Sequence, residues 1–364
     1  MSAEERTRHE QAKTAALVEY ASIPKAMAIE ESEGVDVPVL LRGNPLTPGA
    51  IVPRRFPRVL NDGRADALPI RGSGRCELAA WITRPENPLT ARVLVNRVWR
   101  GHFGQGLVRS IDNFGRLGER PDHPELLDWL AVQFVEEGWS IKTLHRRIML
   151  SNVYQMSTEW DSRAARVDPE NRWLWRMNRR RLDAEGLRDS LLFVGGVLDL
   201  TRGGRTLPLE NFVNLSADPV AKAAREGALF ESLRRSVYLP VFRSALYDVF
   251  QAFDFPDPAT MNGDRATTTV PSQALFMLNS PLLTKAARGL GERLFAPGID
   301  SDETRLDLAY TAALGRLPDT AEHADWETFL RSTIGTNNDT GERRNAWESV
   351  CRVLLSSNEF IYVD

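Results

Sequence analysis

The chain has 364 residues, 42% of them hydrophobic and 26% charged, with a formal net charge of −3 at pH 7. This is a globular composition with enough apolar chain for at least one sizeable core. The slight acidic balance argues against a nucleic-acid binder driven by bulk charge, which needs a basic excess to neutralise phosphates.

Two cysteines, Cys76 and Cys351, form no CxxC or CxxCH pattern, which excludes zinc-ribbon, thioredoxin-like and c-type haem chemistry within this sequence. They read as two buried thiols rather than one disulfide. No apolar run approaches the roughly 18 residues of a membrane span, so none is expected, and residues 1–30 lack the short apolar core of a signal peptide. Positive charge is mostly arginine, lysine occurring only as Lys13, Lys25, Lys142, Lys222 and Lys285. Coding bias and a selected preference for bidentate pairing both fit that usage.

In chain order, residues 1–20 predict a charged helical lead. Pro24, Pro38, Pro45, Pro48, Pro53 and Pro57 then forbid long helices, while Val37, Val39 and Leu41 alternate as a short strand does. The chain therefore divides into an N-terminal helix with a Pro-rich arm over 1–70 and a helical domain over 71–364.

The organising stretch runs from Asn87 to Tyr154. Asn87 or Thr90 opens a helix with Val93, Val95, Val98, Trp99 and Phe103 near helical spacing, and Gly104 stands where a left-handed cap ends it. Arg92, Asn96 and Trp99 fall along one side. Asp122 and Glu125 read as a capping box for a second helix, with Leu126, Leu127, Leu130 and Phe134 inward up to Gly138. Ser140 opens a third, with Ile141, Leu144 and Ile148 inward. The loop between the first two, with Gly104, Gly106, Gly115 and Gly118, is either a turn-rich connector or a site.

Residues 161–200 predict continued helix, with Leu182, Leu187, Leu191 and Leu192 inward and Glu185, Arg188 and Asp189 on the opposite side. A Gly-rich excursion over 201–235 precedes a strand over 234–242, where Val237, Leu239 and Val241 alternate. The turn-rich loop Asp254–Thr269 leads into a helix from about Ser272 to Leu294, with Thr267, Thr268, Thr269 and Gln273 as its entry. Three closing helices lie near 302–314, ended by Gly315, then 319–334 and 343–357. The expected fold class is mainly α: a compact multi-helix domain with a short β element and an extended N-terminal arm.

Chemistry concentrates in the organising stretch. His102, His123 and His145 lie near Asp112, Glu125 and Asp128, residue types that serve as general acids and bases or metal ligands. No HExxH or HxH spacing supports such a role, and structural hydrogen bonding is the plainer reading. A helix face of Arg92, Asn96 and Trp99 suits a sugar, the ring stacking and the polar groups meeting hydroxyls; it equally suits tying the helix to the Gly-rich loop. Asp254, Asp257, Asn262 and Asp264 offer oxygen ligands without EF-hand spacing. GxSxG, Walker A and Rossmann patterns are missing. No metal or cofactor is expected, no catalytic residue is assigned, and whether the chain is an enzyme is left open. The candidate binding residues are Arg92, Asn96, Trp99, His102, Asp112, Asn113, His123 and Asp128.

Several runs carry a family resemblance: ARVLVNRVWRGHFGQGLVRSIDNFGRLGERPDHPELLDWLA, GWSIKTLHRRIMLSNVYQMS, LLRGNP, PGAIVPRRF, RRRLDAEGLRDSLL, RRSVYLPVFR, FDFPDPA, TTTVPSQALFMLNSP, LGRLPDTAE and SSNEFIYV. From about Ala26 onward the chain resembles the planctomycete-specific PSD-one domain, a domain of unknown function numbered fifteen fifty-three. The resemblance implies a large periplasmic or cell-surface protein in which a c-type cytochrome domain comes first, this sequence being the C-terminal module alone. It implies an upstream cytochrome-bearing region or protein as partner, and no catalytic residues. Two functional readings result. The first is a non-enzymatic binding or assembly module of an extracytoplasmic complex. The alternative is a carbohydrate-active enzyme or polysaccharide-binding protein with its site in 92–128. Neither involves nucleic acid.

Overall fold

Apolar residues at helical spacing dominate the sequence, and the fold they produce is mainly α, with two small two-stranded sheets among the described residues. The computed structural model describes residues 9, 12–14, 16, 28–31, 34–61, 72–204, 231–243, 246–334 and 340–363. Most of the helical lead over 1–20 lies outside the described residues, as do residues 62–71 and most of the 201–235 excursion. Two compact units divide the chain, Met1–Thr90 and Ala91–Asp364.

In the N-terminal unit the alternating valines do form a strand. β1 (Val37–Leu40) pairs antiparallel with β2 (Pro48–Val52), with Val37 opposite Val52 and Pro38 opposite Ile51. Pro38 and Pro48 are tolerated because each strand of a lone pair has a free edge that needs no donor. Asn44 shapes the turn, its Oδ1 accepting from the Leu46 amide at 2.9 Å. Beyond the hairpin, Phe56 stacks on Trp81 of α1 (Arg75–Thr83) at 4.5 Å. Arg54 holds Asp36 at 3.0 Å and donates to the Gly72 and Ser73 carbonyls. Arginine links and one aromatic stack thus join the described parts of this unit, in which no described apolar side chain is buried.

The C-terminal unit carries two hydrophobic clusters. The first comes from α2 (Thr90–Phe103), α3 (Pro124–Glu136) and α4 (Ile141–Met149). Val95, Trp99 and Phe103 share it with Leu127, Leu130, Phe134, Leu144 and Ile148, each such burial stabilising the fold by about 1.5–3 kcal/mol. Gly104 (φ 79°) and Gly138 (φ 69°) take the left-handed conformation after α2 and α3. Two local expectations fail here. The N-cap of α3 is His123 rather than Asp122, whose carboxylate is taken up by Arg109 and Arg172. Ile141 is exposed, the inward face of α4 being Leu144 and Ile148.

After the short α5 (Ser162–Val167) and β3 (Arg180–Arg181), the second cluster builds on α6 (Ala184–Val194), α7 (Asp248–Ala252), α8 (Pro271–Asn279) and α9 (Pro281–Leu294). It is completed by α10 (Asp302–Leu314), α11 (Thr320–Ile334), α12 (Thr340–Ser356) and α13 (Asn358–Ile361). Leu283, Ala286 and Leu290 of α9 lie in one core with Trp347, Val350, Cys351 and Leu354 of α12. The chain ends in β4 (Tyr362–Val363), which pairs antiparallel with β3, placing Arg180 opposite Val363.

Four further expectations are corrected. Helix does not continue over 161–200, because Asp168 takes the Arg172 and Trp173 amides at 2.8 Å each, and Asn171 and Leu174 adopt positive φ. No strand forms over 234–242. Asp189 accepts from the Ser236 amide at 2.8 Å and Arg188 takes the Arg234 carbonyl at 2.9 Å, so side chains of α6 consume groups a ladder would use. The segment instead makes a 3-10 turn at Ser236–Tyr238. The helix expected from Ser272 to Leu294 is two helices, since Pro281 brings no amide and Ser280 caps the second through the Leu282 amide at 3.1 Å. Of the two free thiols Cys351 is buried, but Cys76 is exposed.

Candidate functional site

The organising stretch is held by local bonds that divide the candidate residues among separate neighbourhoods. Asn96 is fully buried on α2; its Nδ2 donates to the Val108 carbonyl at 2.9 Å and its Oδ1 accepts from the Val108 amide at 2.8 Å. Trp99 sits in the core with its ring stacked on Phe103 at 4.3 Å. Arg92 Nε donates to Asp128 Oδ1 at 2.7 Å, joining α2 to α3, and this bond holds the Asp128 carboxyl below its ordinary pKa.

His102 Nε2 meets His145 Nδ1 at 2.7 Å, bridging α2 and α4. Burial lowers the His102 pKa, and the His145 and Arg180 charges lower it further. Asp112 accepts from the Gly263 amide at 2.7 Å and stands 3.5 Å from Arg97. Asn113 turns its own loop, Oδ1 accepting from the Gly115 amide at 3.0 Å. His123 Nε2 lies 3.0 Å from the Arg172 carbonyl. Both Asp112 and Asp128 are more than half exposed in their side chains.

A different set of side chains surrounds a cleft of about 600 Å³ at the junction of the end of α2, β3, the 253–269 loop and β4. Five arginines line it: Arg100, Arg179, Arg180, Arg181 and Arg265. None of the eight candidate residues does. Arg181 is almost fully buried, paired with Asp254 at 2.7 Å and donating to the Thr268 carbonyl. Asp254, at positive φ (58°), is the hub of this wall. Burial alone would raise its pKa, but donation from the Thr268 amide, Arg181 and the Thr268 hydroxyl holds the carboxyl below its usual range.

Arg265 forks onto Glu185 of α6 at 2.6 and 2.8 Å, and that hydrogen bonding raises its pKa further. Arg100 pairs with Asp264 and donates to the Arg265 carbonyl at 3.2 Å. The cleft thus carries five arginines against the carboxylates Asp183 and Asp254 in its lining, and its walls are braced by charge-assisted bonds from helix to loop. Its sequence signal is the run Arg179-Arg180-Arg181 beside the 254–269 loop, which residue-by-residue reasoning passed over because neither part matches a known catalytic spacing. Arg188 was also missed: instead of facing solvent on α6 it is buried, where it donates to the Ser232 and Arg234 carbonyls.

A family model described as PSD1, protein of unknown function (DUF1553), matches residues 74–330. The chain belongs to that family. No curated protein and no solved structure matches it significantly. Within this PSD1-family chain the matched span takes in α1 to α10 and every arginine of the cleft, while the β1–β2 hairpin precedes it and β4 follows it. Among the described residues no helix is long and apolar enough to cross a membrane, and no group of His, Cys, Asp and Glu is placed to hold a metal ion.

Proposed function

We propose that the chain is a non-enzymatic binding or assembly module of an extracytoplasmic complex, and that its N-terminal hairpin docks on a cytochrome-bearing partner of the kind the PSD-one resemblance implies. The observation that carries this reading is the hairpin itself. Val37, Val39, Leu41, Leu46 and Ile51 are all exposed, Leu46 by 86%, in a unit whose described residues bury no apolar side chain. A two-stranded ribbon is marginal in water without a surface to pack on. Clustered exposed apolar side chains on such a ribbon are the mark of a protein interface.

The test mixes the full chain with the purified cytochrome-bearing region and follows the haem absorbance by sedimentation velocity. A shared boundary that is lost on Leu46→Asp with Ile51→Asp supports docking through the hairpin. Independent sedimentation of the two proteins, or a complex indifferent to both substitutions, overturns it.

A further inference from the structure

We propose that the arginine cleft of the C-terminal unit is a binding site for an oxyanion group, a carboxylate, phosphate or sulfate, carried on a polar small molecule. Three of its arginines already have acidic partners: Arg100 with Asp264, Arg181 with Asp254, Arg265 with Glu185. These brace the wall. Arg180 differs, since it spends one donor on the Gly101 carbonyl and meets no carboxylate among the described residues. Most of its guanidinium donors are left for a ligand, in a fork that matches carboxylate and tetrahedral oxyanions alike.

The backbone fixes where that fork lies. Pairing of β3 with β4 sets Arg180 opposite Val363. Gly104, in the left-handed region at φ 79°, stands where a Cβ would come within 3.2 Å of Arg180 Cδ. Glycine satisfies both the conformation and the close approach. Along the same cleft Thr267 offers a hydroxyl, and the Thr269 and Tyr362 hydroxyls lie 3.3 Å apart. A cationic fork flanked by hydroxyls recognises an anionic group on a polar body, and the cleft's volume falls in the range of roughly 300–1,000 Å³ usual for small-molecule sites.

The experiment is calorimetric titration of the full chain, in Tris chloride at low ionic strength, with citrate, inorganic phosphate and sulfate in separate arms. At least one probe is expected to bind with a Kd below about 1 mM, weakening as salt is added; the tightest arm then names the group. Arg180→Gln is expected to weaken that probe about tenfold or more, the scale of losing charge-assisted hydrogen bonds. Arg331→Gln, which removes an exposed arginine on α11 paired with Glu327, is the equal-charge control and should leave affinity unchanged. Thermal melts of each variant verify folding. If no probe binds the wild-type chain, or if Arg180→Gln binds as well as wild type, or if Arg331→Gln weakens binding equally, the assignment is overturned. The hairpin is not involved, so failure here leaves the docking proposal standing, and the reverse holds as well.

Discussion

Asn96 and Val108 exchange a closed pair of hydrogen bonds, the carboxamide of one serving both the amide and the carbonyl of the other, inside a site with no solvent access at Asn96. The side chain thereby substitutes for a strand partner and fastens the Gly-rich loop to α2. Gly106 is part of the same junction, since a Cβ there would come within 2.5 Å of the Val108 carbonyl oxygen and 2.7 Å of the Asn96 carboxamide. Removing the carboxamide orphans a buried donor and a buried acceptor together. Asn96→Ala is therefore expected to cost about 2–4 kcal/mol, seen as a lower midpoint in thermal denaturation of the C-terminal unit. A loss under about 0.5 kcal/mol would mean the loop is held by something else.

What was legible in the sequence, and what was not, divides along the range of the interactions. The span of α2 was readable because its valines, Trp99 and Gly104 obey helical period and cap chemistry, both local rules. The 234–242 strand was misread because period two is also what a chain shows when Leu239 is buried and its neighbours are not. The deciding contacts come from Arg188 and Asp189, more than forty residues away. The cleft was illegible for the same reason. Arg180, Arg265 and Tyr362 are brought together by a two-stranded sheet and a loop, and no local pattern encodes that meeting. The break between α8 and α9, by contrast, was written in Ser280-Pro281 and could have been read.

The His102–His145 contact predicts acid sensitivity. At 2.7 Å one ring nitrogen donates and the other accepts, a contact that two protonated rings cannot make. Protonating His102 sets a half-buried cation against its neighbour and against Arg180, so folding depresses its pKa below the usual 6.5. The folded state then binds the proton less readily than the unfolded chain. Stability from this contact is full above the unfolded value and falls as pH drops through it toward the lower folded value. Melting midpoints measured from pH 7.5 to pH 5 should decline, and His102→Phe should flatten that decline. An unchanged slope in the variant would remove His102 from the account.

Arg316 joins three helices at the far end of the second cluster. Following Gly315, the C-cap of α10, it forks onto Glu322 of α11 at 2.8 Å twice and onto Glu359 of α13 at 2.6 and 2.8 Å. Hydrogen bonds from Arg316 lead in bringing the Glu322 pKa from 4.5 down to about 2, opposed by burial and helped by the Asp319 amide. The contribution is complete above the unfolded value of 4.5 and is lost as pH falls toward 2. Because the pairs are partly exposed, Arg316→Ala is expected to cost only about 1–2 kcal/mol at neutral pH. The cost should shrink steadily in denaturation series taken from pH 5 to pH 2.5; a constant difference across that range would show that the loss comes from packing and not from the ion pair.

The two cysteines should separate cleanly by reactivity. Cys351 lies on the inner face of α12, where burial, with help from Glu348, pushes its thiol up to about 12. Only the thiolate attacks a disulfide reagent, so at pH 8 both access and ionisation protect it. Cys76 is exposed on α1, within reach of the reagent. Titration of the native chain with an aromatic disulfide should release about one equivalent of chromophore quickly, and unfolding in guanidinium should release the second. Cys76→Ser should abolish the fast phase while leaving the slow one. Two fast equivalents in the native chain would mean that α12 opens far more readily than its packing against α9 implies.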